Sequence, residues 1–185
     1  MNPLYPRKNP IQTDSIEICA QLLSENKVGL FPCDTIWGLV GLPETHAQLC
    51  GIKERPLSQS FIHIVSSIEM AQALTQAWTP AQASWIHQVW PGPVTLILPG
   101  KTSPTVGIRL PKPGKLTELV SHLNAPILST SANRHTQPHL QSLADLDPEL
   151  KAHLDVIYAP KQIQLTGTPS LIIDLTQSPP KRIRM

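Results

Sequence analysis

Proline sets the first limit on how this chain can fold. Its 185 residues hold 20 prolines, about twice the usual share, and Pro32, Pro56, Pro99 and Pro111 each interrupt a run that would otherwise continue. A ring that fixes φ and removes an amide donor ends helices and is excluded from central strands. The chain is thereby restricted to short elements punctuated by loops. No stretch approaches the roughly 18 apolar residues of a membrane-spanning helix.

Within that limit, helical and strand patterns alternate. Asp14 and Glu17 mark a helix start, and Ile16, Cys19, Ala20 and Leu23 recur at i, i+3, i+4 and i+7, predicting a helix over 14–26. The apolar run 28–32 reads as a buried strand stopped by Pro32. It delivers the loop 33–38 to its carboxyl end, where ligand loops of open α/β sheets lie. Thr45 and Gln48 have the spacing of a capping box, for a helix that expires near Lys53, before Pro56. Residues 61–65 alternate as a strand, and Ser67 and the Thr79-Pro80 pair start two short helices, the second carrying Trp85 and Val89. The runs 91–99 and 105–111 are strands bracketed by Gly and Pro, followed by a helix around 115–123 and a short strand at 126–129. A polar helix over 142–153 and strands at 156–158 and 170–175 complete the pattern, which predicts a single α/β domain, residues 1–185, built on a mixed sheet.

Charge and cysteine content bound the function. Charged residues make up 15% of the chain, below the roughly 25% usual for soluble domains, and the net charge of +2 permits an RNA surface without implying one. Cys19, Cys33 and Cys50 are scattered and odd in number, which fits a reducing cytoplasm better than a disulfide framework or structural zinc. The first residues, Met1 to Lys8, contain no apolar core of a secretory signal.

Against so sparse a charge background, Lys53 and Arg55, one residue apart before Pro56, stand out together with Ser131 and Asn133. A lysine supplies a point charge, an arginine a bidentate fork, and the hydroxyl and amide neutral donors; the set suits a polyanion such as a nucleoside triphosphate. The competing reading of the two cations is a solvated pair complementing a helix C-terminus. Arg109 lies within an apolar strand, where a cation needs an anion, whether a ligand phosphate or a structural aspartate. Thr35, Asp34 and Trp37 combine hydroxyl, carboxylate and indole in one loop, suited either to a small polar substrate or to a turn with Trp37 filling core. His135 and His139 are four apart, but Pro138 spoils the helix and no third ligand follows, so no metal site is expected. Glycine-rich phosphate loops, GxSxG elbows and a Cys-His pairing are all missing, leaving positioning and charge neutralisation as the available means of catalysis.

Taken in order, the stretches 31–39, 52–56, 90–99, 106–111, 129–133 and 169–175 resemble the YrdC/TsaC family, the threonylcarbamoyl-adenylate synthases, over roughly residues 12–184. The resemblance implies a YrdC-like domain with a twisted mixed β-sheet flanked by helices and a positively charged concave face. It further implies conversion of L-threonine, bicarbonate and ATP to threonylcarbamoyl-AMP and pyrophosphate, with magnesium accompanying ATP and no permanent cofactor. Partner tRNA-modification proteins would then use the product for threonylcarbamoyladenosine (t6A). By the same resemblance Lys53, Arg55, Arg109, Ser131 and Asn133 bind ATP, with Lys53 and Arg55 catalytic, while Thr35 and Trp37 face threonine.

The chain departs from the family pattern in places. Cys33 and Trp37 stand where the family usually has threonine and a tyrosine or phenylalanine, and Gln59 replaces a usual lysine, for which neighbouring Arg134 is a candidate substitute. Arg134, His135 and Thr136 replace the usual continuation after Asn133. Two alternatives stay open: a divergent member that binds RNA or nucleotide without synthase activity, and a carbamoyl-phosphate-using relative, against which the lack of fused modules argues.

Overall fold

The computed structural model describes residues 9–134 and 137–184; His135, Thr136 and Met1 to Lys8 lie outside them. A short edge strand β1 (Ile11–Thr13) precedes α1 (Ile16–Ser24), which turns Ile16, Cys19, Ala20 and Leu23 inward. Ser15, rather than Asp14, caps α1 by accepting the Ile18 amide at 3.2 Å. The hairpin of β2 (Gly29–Pro32) and β3 (Trp37–Gly41) follows, so Trp37 and Gly38 belong to a strand and only 33–36 form the loop. A 3₁₀ turn, Pro43–Thr45, leads into α2 (His46–Ile52). The expected capping box is not made: the Thr45 hydroxyl instead donates to the Leu42 carbonyl at 2.7 Å.

β4 (Ile62–Ile64), α3 (Ile68–Leu74), α4 (Pro80–Val89), β5 (Val94–Pro99) and β6 (Thr105–Arg109) then run in the predicted order. Ser67 caps α3, and Thr79 with Gln82 forms a full capping box at α4, as those residue types favour. α5 (Lys115–Leu123) and β7 (Ile127–Ser131) follow. In place of a polar helix over 142–153 there is a 3₁₀ turn, Leu143–Asp145, and a single-turn α6 (Pro148–Lys151) capped by Asp147. Proline fits the first turn of a helix and not its interior, so Pro148 starts the helix that the sequence pattern ran through it. β8 (Val156–Tyr158), β9 (Leu171–Asp174) and β10 (Lys181–Arg184) complete the sheet.

The strands join one mixed sheet in the order β1-β8-β2-β3-β7-β4-β6-β5-β9-β10. α1 and α5 pack over one face around Leu23, Phe31, Leu119 and Ile127, and α2 and α6 cover the other around Leu39, Leu49, Leu128 and Leu154. A third core, built on Leu96, Leu98, Ile108 and Ile173, lies under α3 and α4. Alternation along β6 sends Val106 and Ile108 into that core and therefore turns Arg109 to the opposite face. There it meets the 33–36 loop, which leads into β3; β3 pairs with β7 through Gly38 and Ser131, and β4 places Ile64 beside Arg109.

Candidate active site

The end of α2 decides where the two cations go. Lys53 caps the helix, Glu54 adopts a left-handed φ of 51°, and the Glu54 and Arg55 amides donate back to Gly51 and Cys50 at 3.2 and 2.9 Å. This is a Schellman closure with glutamate where glycine is usual. It turns Lys53 inward and sends Arg55 to the cavity.

Lys53 is only 2% exposed. Its ammonium donates to the Ser131 carbonyl at 2.9 Å, to Asn133 Oδ1 at 3.1 Å and to the Asn133 carbonyl. The Ser131 hydroxyl donates to the same Oδ1 at 2.6 Å. Three acceptors match the three donors of an ammonium, so Lys53 pins the 131–133 segment from beneath and is not a solvated helix-end cation. Burial, reinforced by the positive charge of Arg55, pushes its pKa down to about 8.

A cavity of about 270 Å³ opens above this point, lined by Arg55, Ser131, Thr35, Trp37 and Arg109 among others. Lys53 and Asn133 do not line it; they support its floor. Arg55 reaches the Thr130 hydroxyl at 3.4 Å and is half-buried, which leaves most of its guanidinium donors for a ligand. Among the described residues no carboxylate lines the cavity while two arginines do, so its electrostatics favour an anion.

At the other end, Arg109 is 3% exposed and reaches three consecutive loop residues. It donates to Thr35 Oγ1 at 3.0 Å and to the Cys33 carbonyl at 3.1 Å, and pairs with Asp34 Oδ1 at 3.0 Å. Arg109 therefore has the structural aspartate partner and also lines the cavity. Its Nε has no hydrogen-bond partner. Asp34 takes a left-handed φ of 55° and its carboxyl is raised by burial, against the opposing pull of Arg109. Thr35 is buried with its hydroxyl donated to the Cys33 carbonyl at 3.1 Å. Trp37, 2% exposed, packs in the core beside Leu39 and Leu49 and also lines the cavity.

Several lining groups escaped the sequence reading. Ser129, Thr130 and Ser170 add hydroxyls, and Ile62, Ile64 and Ile172 an apolar wall. The serines and threonine lie inside the stretches 129–133 and 169–175, where a run of hydroxyls at a strand end was the available signal. Gln59 also lines the cavity. Arg134 does not replace the missing charge there: it pairs outward with Glu149 at 3.4 Å and Glu54 at 3.6 Å. The Cys33 thiol is pushed up to about 11 by burial, which makes it a poor nucleophile at neutral pH.

Comparison with known proteins bears on this geometry. The Sua5/YciO/YrdC family, described as telomere recombination, matches residues 21–185. The threonylcarbamoyl-AMP synthase of Xanthomonas euvesicatoria pv. vesicatoria is 30% identical over 159 residues, covering 77% of this chain and 85% of the relative. The crystal structure of P. abyssi Sua5 complexed with L-threonine superposes with a TM-score of 0.80 at 25% identity, over 95% of this chain and 56% of that one. E. coli YciO shares the fold at 21% identity, with a TM-score of 0.79 over 94% of this chain and 92% of its own. Sequence match, fold and cavity agree, and the chain belongs to the Sua5/YciO/YrdC family.

Proposed function

We propose that this protein is an L-threonylcarbamoyladenylate synthase, which joins L-threonine, bicarbonate and ATP into threonylcarbamoyl-AMP and releases pyrophosphate. The observation that carries this reading is one cavity with two arginines and, among the described residues, no carboxylate in its lining: half-buried Arg55 stands at one end, and an ordered hydroxyl over a buried arginine, Thr35 on Arg109, at the other. The first end suits phosphates, the second a small amino acid. The relatives named threonylcarbamoyl-AMP synthase and the neighbour complexed with L-threonine support the assignment.

The threonine amine and bicarbonate condense to a carbamate with loss of water, and a carbamate oxygen attacks the α-phosphorus of ATP. The bond between that phosphorus and the bridging oxygen breaks, and pyrophosphate leaves with the electron pair. Arg55 compensates the charge that grows on the leaving group, and the Ser131 hydroxyl stands beside it. Lys53 and Asn133 act from beneath, by holding Ser131. Magnesium would arrive with ATP as part of the substrate and would help to neutralise the phosphate charge beside Arg55. Trp37 and Ile36 supply an apolar wall near Thr35. The product passes in the cytoplasm to tRNA-modification proteins that attach the threonylcarbamoyl group to adenosine.

Incubation with ATP, magnesium, threonine and ¹³C-bicarbonate tests this directly. Mass spectrometry should detect threonylcarbamoyl-AMP carrying one extra mass unit. Nucleotide or RNA binding without this product would favour the non-synthase alternative.

A further inference from the structure

Residues 159–170 form no regular element, yet they carry the chain from β8, second in the sheet, to β9, ninth in the sheet. Half of the crossing segment is exposed, with Ile163 and Leu165 resting on the α2-side core. Three hydrogen bonds attach it to the 33–36 loop at the cavity. The Thr166 amide donates to the Asp34 carbonyl at 3.1 Å, the Gly167 amide to the Thr35 carbonyl at 2.9 Å, and the Thr166 hydroxyl reaches the Thr35 carbonyl at 3.4 Å.

Arg109 grips the same three-residue loop from the other side. Thr35 is thus fixed twice, through its hydroxyl by Arg109 and through its carbonyl by the crossing segment. The Gly167 amide can aim at Thr35 because Gly167 has a φ of 74°, and a Cβ placed there would meet nothing within 4 Å. The demand for glycine is therefore one of backbone conformation and not of space. Asp34, on the opposite side of these hydrogen bonds, is also left-handed.

We infer that the Thr166-Gly167 turn is a clamp that sets the position of Thr35, and that Gly167 is a positioning residue for the amino-acid substrate. This rests on the reading of Thr35 as the threonine end of the cavity. The turn touches neither Arg55 nor Ser131, so its influence falls on threonine and not on ATP.

Two variants separate conformation from bulk. Gly167→Asn keeps access to the left-handed region, whereas Gly167→Val does not. Steady-state pyrophosphate release should give Gly167→Val a threonine KM raised about tenfold with ATP KM nearly unchanged. Gly167→Asn should stay near the parent protein. Amide hydrogen exchange supplies a readout independent of turnover: exchange at Thr35 and Gly167 should quicken in Gly167→Val and not in Gly167→Asn. An unchanged threonine KM in Gly167→Val, equal rises for ATP and threonine, or Asn behaving like Val would overturn the inference. If the parent protein makes no product, the functional reading fails, and unaltered exchange in Gly167→Val would then sink the clamp separately.

Discussion

The Lys53 ammonium donates to the Ser131 carbonyl at 2.9 Å across 78 residues of sequence, tying the end of α2 to the end of β7. Both walls of the Arg55 end of the cavity, where we propose that the phosphates bind, depend on that bolt. Its chemistry makes the site sensitive to alkali.

As pH rises through about 8, Lys53 loses its proton. A neutral amine has two donors for three oxygens, so the 131–133 segment loosens and turnover should fall with an apparent pKa near 8. Stability should move the other way. Because burial depresses the folded-state pKa, the fold binds this proton less tightly than the unfolded chain between about 8 and the ordinary lysine value of 10.5. The penalty for holding the charged form is present below about 8 and disappears over that interval. Thermal unfolding between pH 7.5 and 10, compared with Lys53→Met, checks both signs: turnover falls while the Lys53-dependent part of stability does not.

Arg109→Lys should damage the threonine end while sparing ATP. A lysine is shorter and lacks the planar fork through which one Nη reaches Thr35 while the other reaches Cys33 and Asp34. Threonine KM should rise at least about tenfold, and ATP affinity, measured by calorimetry, should change little. Arg109→Met, which leaves Asp34 unpaired, should cost about 2 kcal/mol in urea unfolding, below the figure for a fully buried pair because the Asp34 side chain is 33% exposed.

How far the site could be read from sequence turns on local backbone. The face of α1 was legible because its 3.6-residue period is written in Ile16, Cys19, Ala20 and Leu23. β3 was not, since it is buried along its whole length, shows no alternation, and contains Gly38 and Gly41. The strand order was hidden as well: β8 lies between β1 and β2, and β7 beside β3, pairings that span most of the chain. The cations were legible as residue types. Their separation into a buried bolt and a cavity arginine was not, because it depends on one left-handed residue, Glu54, that carries none of the glycine signal for such a turn.

Gly38 should not tolerate a side chain. A Cβ there would stand 2.6 Å from Cys33 Sγ and 3.0 Å from Ser129 Oγ. Gly38→Ala should lower stability by about 1–3 kcal/mol. Adding Cys33→Ala removes the nearer clash and should recover much of the loss; a double-mutant cycle in urea that finds additive effects would contradict the contact.

Gln59→Lys should strengthen the phosphate end. Gln59 lines the cavity on the same loop as Arg55, and Arg134 does not compensate for it. A cation at an exposed position is expected to lower ATP KM by about threefold in low salt, with the gain erased by added salt. Equal KM values for both proteins in low salt would place residue 59 away from the phosphates.

The account as a whole stands on pyrophosphate release from ATP, magnesium and bicarbonate, measured with and without L-threonine. It predicts release that requires threonine and that Arg55→Ala reduces by well over tenfold. Release that ignores threonine, or none at all from a protein that still binds ATP, would contradict it.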